Sequence, residues 1–131
     1  IKKIKMFDEN YFLYLEEIDL CKRLKLASEK IYICGEAKIT HLGAKSSNIG
    51  FEFEKCRNWH WMWSKVYYDK KFYGKLYAIK KSFLYLFKNF LKSVFFLLIL
   101  DYDRFKIFYL RFSGTYNSLI GKKSWYRPKT Y

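Results

Sequence analysis

The spacing of apolar and polar positions changes several times along the chain, and each change marks a predicted element. Phe7-Asp8-Glu9-Asn10 reads as a turn, and Tyr11-Phe12-Leu13-Tyr14-Leu15 is a short aromatic run suited to a buried strand or to the lead-in of a helix. From Glu16 the period becomes helical. Leu20, Cys21, Leu24 and Ala27 share one face, with Lys22, Arg23 and Lys25 largely on the other, and the helix is predicted to end near Ser28-Glu29-Lys30. Ile31-Tyr32-Ile33-Cys34 and Ala37-Lys38-Ile39-Thr40-His41 alternate and are rich in β-branched residues, which predicts two short strands interrupted near Gly35. Gly43 to Gly50, with Ser46, Ser47 and Asn48, reads as a loop.

From about Phe53 to Tyr73 the pattern is helical and aromatic, with Trp59, Trp63, Val66 and Tyr67 recurring at helical spacing and Gly74 as the break. His60 is expected to pack within this aromatic helix. Lys75 to about Leu110 reads as a second long helical stretch, bent near Asp101-Tyr102-Asp103. Its apolar run is interrupted by Lys88 and Lys92 well short of the roughly 20 residues that a membrane crossing needs. Lys80, Lys81, Lys88 and Lys92 recur between Phe83, Leu84, Phe87, Leu91, Val94 and Phe95, the arrangement of an amphipathic helix lying on a membrane surface.

Composition sharpens this picture. With 131 residues the chain is about one domain long, and 51% hydrophobic with 23% aromatic residues excludes a disordered chain. The net charge of +14 is concentrated in the second half: residues 1–60 hold 11 basic and 9 acidic side chains, residues 61–131 hold 15 and 3. A basic, aromatic tail suits an anionic membrane surface or nucleic acid, and charge does not choose between them. Cys21, Cys34 and Cys56 show no CxxC spacing and fit a reduced intracellular compartment better than a disulfide framework.

Glu16-Glu17-Ile18-Asp19 places three carboxylates in the first turn of a predicted helix, where free backbone N–H groups and the helix dipole favour negative charge. Capping explains such a cluster by itself. Glu17, however, precedes Leu20 and Cys21 by three and four residues, so it is expected on the inward face, where a positioned carboxylate can act as a general base.

The run from Phe7 to Arg23 resembles the FDExFFxYxEDxDLCxR segment of rhamnosyltransferase-like family 2 glycosyltransferases. The likeness continues through Ile31-Tyr32 and Glu36-Ala37-Lys38-Ile39-Thr40-His41-Leu42-Gly43, similar to the family's P-E-A-x-I-x-H-x-G stretch, then Ser46-Ser47, and again from Arg111 to Pro128. The resemblance implies an inverting transfer of a sugar from a nucleotide-sugar donor to a saccharide acceptor, lipid-linked, in surface polysaccharide synthesis. Glu17 matches the general base, a Glu where Asp is commoner, with Glu16 and Asp19 beside it. His41 matches a ligand of the divalent cation, Mg or Mn, and Arg23, Ser46 and Ser47 match substrate-binding positions.

The implied fold class is α+β: mostly helical, with a few short strands from the end of a GT-A type sheet and a long helical tail. Residues 1–56 would end the catalytic domain, and residues 57–131 would form the tail on the cytoplasmic face of the cell membrane, held by Lys80, Lys81, Lys88 and Lys92. The chain starts at Ile1 and shows no nucleotide-binding strand-helix unit with a DxD metal motif, so a fragment that is inactive alone is expected. The competing expectation is a basic aromatic nucleic-acid-binding or membrane scaffold module without catalysis.

Overall fold

The computed structural model describes residues 4, 6–40 and 50–128. Four helices follow one another: α1 (Glu16–Leu26), α2 (Gly50–Tyr73), α3 (Lys75–Leu98) and α4 (Tyr102–Leu119). Lys81 meeting Asp69 and Lys65 meeting Tyr85 set α2 and α3 antiparallel, and Phe96 stacked on Phe108 with Phe90 beside Phe112 does the same for α3 and α4. The three long helices thus form an up-down-up bundle. Gly74 makes the first reversal at φ 88°, a conformation that costs glycine little. The second lies at residues 99–101, where Leu100 is left-handed at φ 60° and the Asp101 carboxylate accepts from the Arg104 N–H at 3.1 Å, capping α4.

The centre of the bundle is aromatic. Trp59, Trp63 and Leu110 are buried together with Tyr67 and Tyr126 against them. Because residues four apart share a helix face, Trp59, Trp63 and Tyr67 stack successively, at 6.4 and 4.9 Å between ring centroids. The indole N–H of Trp59 donates to Ser113 Oγ at 3.3 Å and that of Trp63 to the Lys122 carbonyl at 2.9 Å. At the α2–α4 crossing Gly114 lies directly on the Trp59 backbone: an added Cβ would sit 2.3 Å from the Trp59 carbonyl oxygen.

Three expectations are corrected here. Among the described residues there is no strand, so the α+β class with strands from a GT-A sheet gives way to an all-helical fold. Residues 31–40 are exposed throughout, Ile33 at 96%, and the Ala37 N–H to Cys34 carbonyl bond is a turn. An alternating pattern alone does not make a strand: it needs a neighbour for its backbone groups and a surface to cover one face, and residues 31–40 have neither. Of the two readings of residues 11–15, the lead-in to a helix holds and the buried strand does not: the run bends directly into α1. The stretch from Lys75 is two helices, not one bent helix, because Asp101 starts a new N-terminus there.

After α4, residues 122–128 cross back over α2. His60, fully buried as its aromatic setting suggests, donates from Nε2 to the Tyr126 carbonyl at 2.7 Å, while Nδ1 is unpartnered. Burial is the main cause that lowers its pKa, to about 4; the bond to Tyr126 opposes the shift and the nearby Arg127 charge adds to it. An unfolded His takes its proton near pH 6.5, whereas the folded one resists until about 4, so stability is full above 6.5 and falls as pH drops towards 4. Chemical denaturation across that window is expected to show a loss on the order of 3 kcal/mol, absent in His60→Asn.

Candidate functional site

The first turn of α1 is reached through two consecutive residues that sequence would not place in left-handed backbone, Tyr14 at φ 67° and Leu15 at φ 70°. Each such non-glycine residue costs about 1–3 kcal/mol and persists only where its surroundings hold it. Here the Leu13 carbonyl accepts from Ser64 Oγ at 2.7 Å, Tyr14 Oη accepts from Arg57 Nε at 2.7 Å, and the Tyr14 ring meets Trp61 edge-on at 5.4 Å. The lead-in is therefore pinned to α2, and it delivers Glu16, Glu17 and Asp19 at a fixed angle.

The three carboxylates part company. Asp19 is 0% exposed and takes Lys71 Nζ at 2.6 Å, Arg23 Nε at 2.7 Å and Tyr11 Oη at 3.5 Å. Lys71 bridges onward to Asp8 at 2.7 Å, and the Tyr67 hydroxyl donates to the same Asp8 oxygen at 3.1 Å. Burial would raise the Asp8 pKa, but hydrogen bonds from Lys71 and Asn10 and the Lys71 charge outweigh it and hold the carboxyl at about 2. Burial, reinforced by the Asp19 and Asp8 charges, raises the Tyr11 phenol; burial and Asp8 push Tyr67 up to about 12. Both phenols stay protonated donors.

Glu17 is exposed, which corrects the expected inward orientation: Asp19, two residues on, is the acid that turns in. Cys21 and Ala27 are exposed and Leu20 and Leu24 only half-buried, so the apolar face that was to carry Glu17 inward is not the face α1 buries. Glu16 is half-buried with one oxygen unpartnered. Arg23 spends its guanidinium within the fold, on Asp19 and on the Ile4 and Met6 carbonyls at 2.5 and 2.8 Å. His41, Ser46 and Ser47 lie outside the described residues.

Two clefts flank this turn. One, about 560 Å³, is lined by Ile4, Met6, Phe7, Asp8, Glu9, Arg23 and Lys71, the outer side of the ion-pair network. The other, about 300 Å³, is lined by Tyr14, Glu54, Arg57, Asn58, Trp61 and Arg111, combining a half-exposed indole with two guanidinium groups. Sequence reasoning missed Lys71 and the second cleft, since both depend on α2 folding against residues 8–19. The i,i+4 spacing of Asp19 and Arg23 was the one readable signal of the network.

No family profile matches the chain, and no solved structure does. Over 58 residues it is 38% identical to the rhamnosyltransferase WbbL of Escherichia coli (strain K12), a stretch that makes up 44% of this chain and 21% of that protein. Over that stretch the chain is similar to a glycosyltransferase.

Proposed function

We propose that the chain carries the acid-bearing part of an inverting family 2 glycosyltransferase, with Glu17 as the base that accepts the proton of a saccharide hydroxyl. The observation behind this reading is the rigid seating of the turn: Asp19 locks it to Lys71 and Arg23 while Glu17 stays accessible. The turn that carries Glu17 is held while its carboxylate stays open to a substrate, the combination asked of a general base. The partial likeness to a rhamnosyltransferase supports the reaction class.

In the reaction the acceptor oxygen attacks the anomeric carbon in line, its proton passes to a Glu17 oxygen, and the bond to the diphosphate breaks, so configuration inverts. The cleft beside Tyr14 suits the acceptor: a sugar ring stacks on the half-exposed Trp61 indole, with the Arg57 and Arg111 guanidinium groups beside its hydroxyls. A lipid-linked acceptor in surface polysaccharide synthesis fits that role. Among the described residues no three His, Cys, Asp or Glu side chains converge as a metal site, and the steps assigned to this chain's residues stop at the acceptor proton.

In the protein carrying this segment, Glu17→Gln is expected to lower kcat for transfer from a nucleotide-sugar by at least about 100-fold with the donor KM unchanged. Measuring both separates a base from a binding group. A kcat within threefold of the unaltered protein would remove Glu17 from the mechanism.

A further inference from the structure

Helix α3 is inverted in polarity. Its buried positions are Ala78, Ser82, Asn89 and Ser93, all small or polar, whereas most of its large apolar side chains face outward; Leu86 and Phe96 are half-buried, Phe96 on Phe108 of α4. Leu76, Phe83, Phe90 and Leu97 recur every seven residues, Phe87 and Val94 fill the same outer face, and all six are exposed, Phe83 at 65%. In water this is the reverse of what burial favours. Small residues at helix contacts with Phe and Leu outside are the arrangement adopted where the surrounding medium is itself apolar.

The stripe does not end at α3. Phe90 touches Phe112 of α4 at 5.9 Å, and Phe112 stacks on the exposed Tyr116 at 6.3 Å. Tyr102, Tyr109 and Tyr116 then recur every seven residues along α4, all about half exposed, and tyrosine is at home where lipid chains meet headgroups.

Charge selects the partner. Residues 75–98 hold five lysines and no acidic residue; Lys80 and Lys88 are exposed beside the stripe, Lys92, also exposed, lies 4.8 Å from the Phe108 ring of α4, and Lys81 is engaged with Asp69 within the bundle. No helix among the described residues is long and apolar enough to cross a membrane. We infer that α3 lies in the plane of one leaflet of an anionic membrane, its Phe and Leu stripe among the upper acyl chains and Lys80, Lys88 and Lys92 at the phosphates. Long lysine stems reach from an apolar surface to the headgroups without lifting the helix out.

The test is sedimentation of the 131-residue chain with vesicles of phosphatidylcholine alone or with 30% phosphatidylglycerol. The unaltered chain is expected to bind the anionic vesicles. Phe83→Ser with Leu84→Ser and Phe87→Ser, on side chains that face away from the bundle, is expected to weaken binding on the order of 100-fold at unchanged helix content. Lys80→Gln with Lys88→Gln and Lys92→Gln is expected to weaken binding roughly 100-fold on anionic vesicles and little on neutral ones. Three results would overturn the inference: no binding to either vesicle; binding that survives the serine changes; or a chain that ignores vesicles but forms a dimer, or holds single-stranded RNA, through these side chains. Loss of vesicle binding with sugar transfer intact would leave the Glu17 reading standing.

Discussion

Asp19→Ala is expected to destabilise the protein by about 2–3 kcal/mol, the cost of removing a buried acceptor shared by Arg23, Lys71 and Tyr11 when the two cations keep partial access to water. Lys71 keeps Asp8, but the Arg23 Nε then faces a void and the Tyr11 hydroxyl loses its acceptor. The effect should concentrate on residues 8–26, where hydrogen exchange of α1 amides would rise more than that of α2. Asp19→Asn keeps an acceptor but not the charge, and is expected to fall between the two. A double-mutant cycle of Asp19→Ala with Lys71→Met isolates the pair: removing both ions should cost clearly less than the single changes summed. A cost for Asp19→Ala below 1 kcal/mol would mean that the network does not hold the turn.

Gly114→Ala is expected to lower the thermal midpoint by about 10 °C or more. Alanine is the better helix former by about 1 kcal/mol, so an open site would gain from the change. At this position the new methyl carbon would stand 2.3 Å from the Trp59 carbonyl oxygen, and that atom belongs to backbone, which cannot turn aside as a side chain does. Separating α2 from α4 to make room would loosen the Trp59, Trp63 and Leu110 contacts, a penalty of about 3 kcal/mol or more for overpacking. Gly35→Ala, with nothing within 4 Å, is the matched control and should stay within about 0.5 kcal/mol. Equal midpoints for the two variants would show that the crossing gives way easily.

Where the sequence was informative, the physics was local. The onset of α1 at Glu16 follows from a carboxylate-rich first turn, α2 from Trp59, Trp63 and Tyr67 at i,i+4, and the first reversal from Gly74. The second reversal was placed near Asp101 but read as a bend, because a capping Asp starts a helix whatever direction the preceding one ran. The strands failed because alternation at residues 31–40 has no sheet to join among the described residues. For the site, the acids and Arg23 were legible in one short stretch, but which acid turns inward depended on Lys71, fifty-odd positions away, and on left-handed backbone at Tyr14 and Leu15 that neither residue type announces. The outward stripe of α3 was visible as a pattern of apolar and basic positions; that its inner face is small and polar needed α2 and α4 in place.

The strap formed by residues 122–128 has a consequence for biogenesis. Ser124 bonds the Asn10 carbonyl and Arg127 lies 3.7 Å from the centre of the Phe12 ring, so residues 10–12 rest on a stretch that is translated more than a hundred positions later. During synthesis Phe12 and His60 wait uncovered until residues 122–128 have emerged from the ribosome, and a nascent chain that stops before residue 122 would present those rings to chaperones.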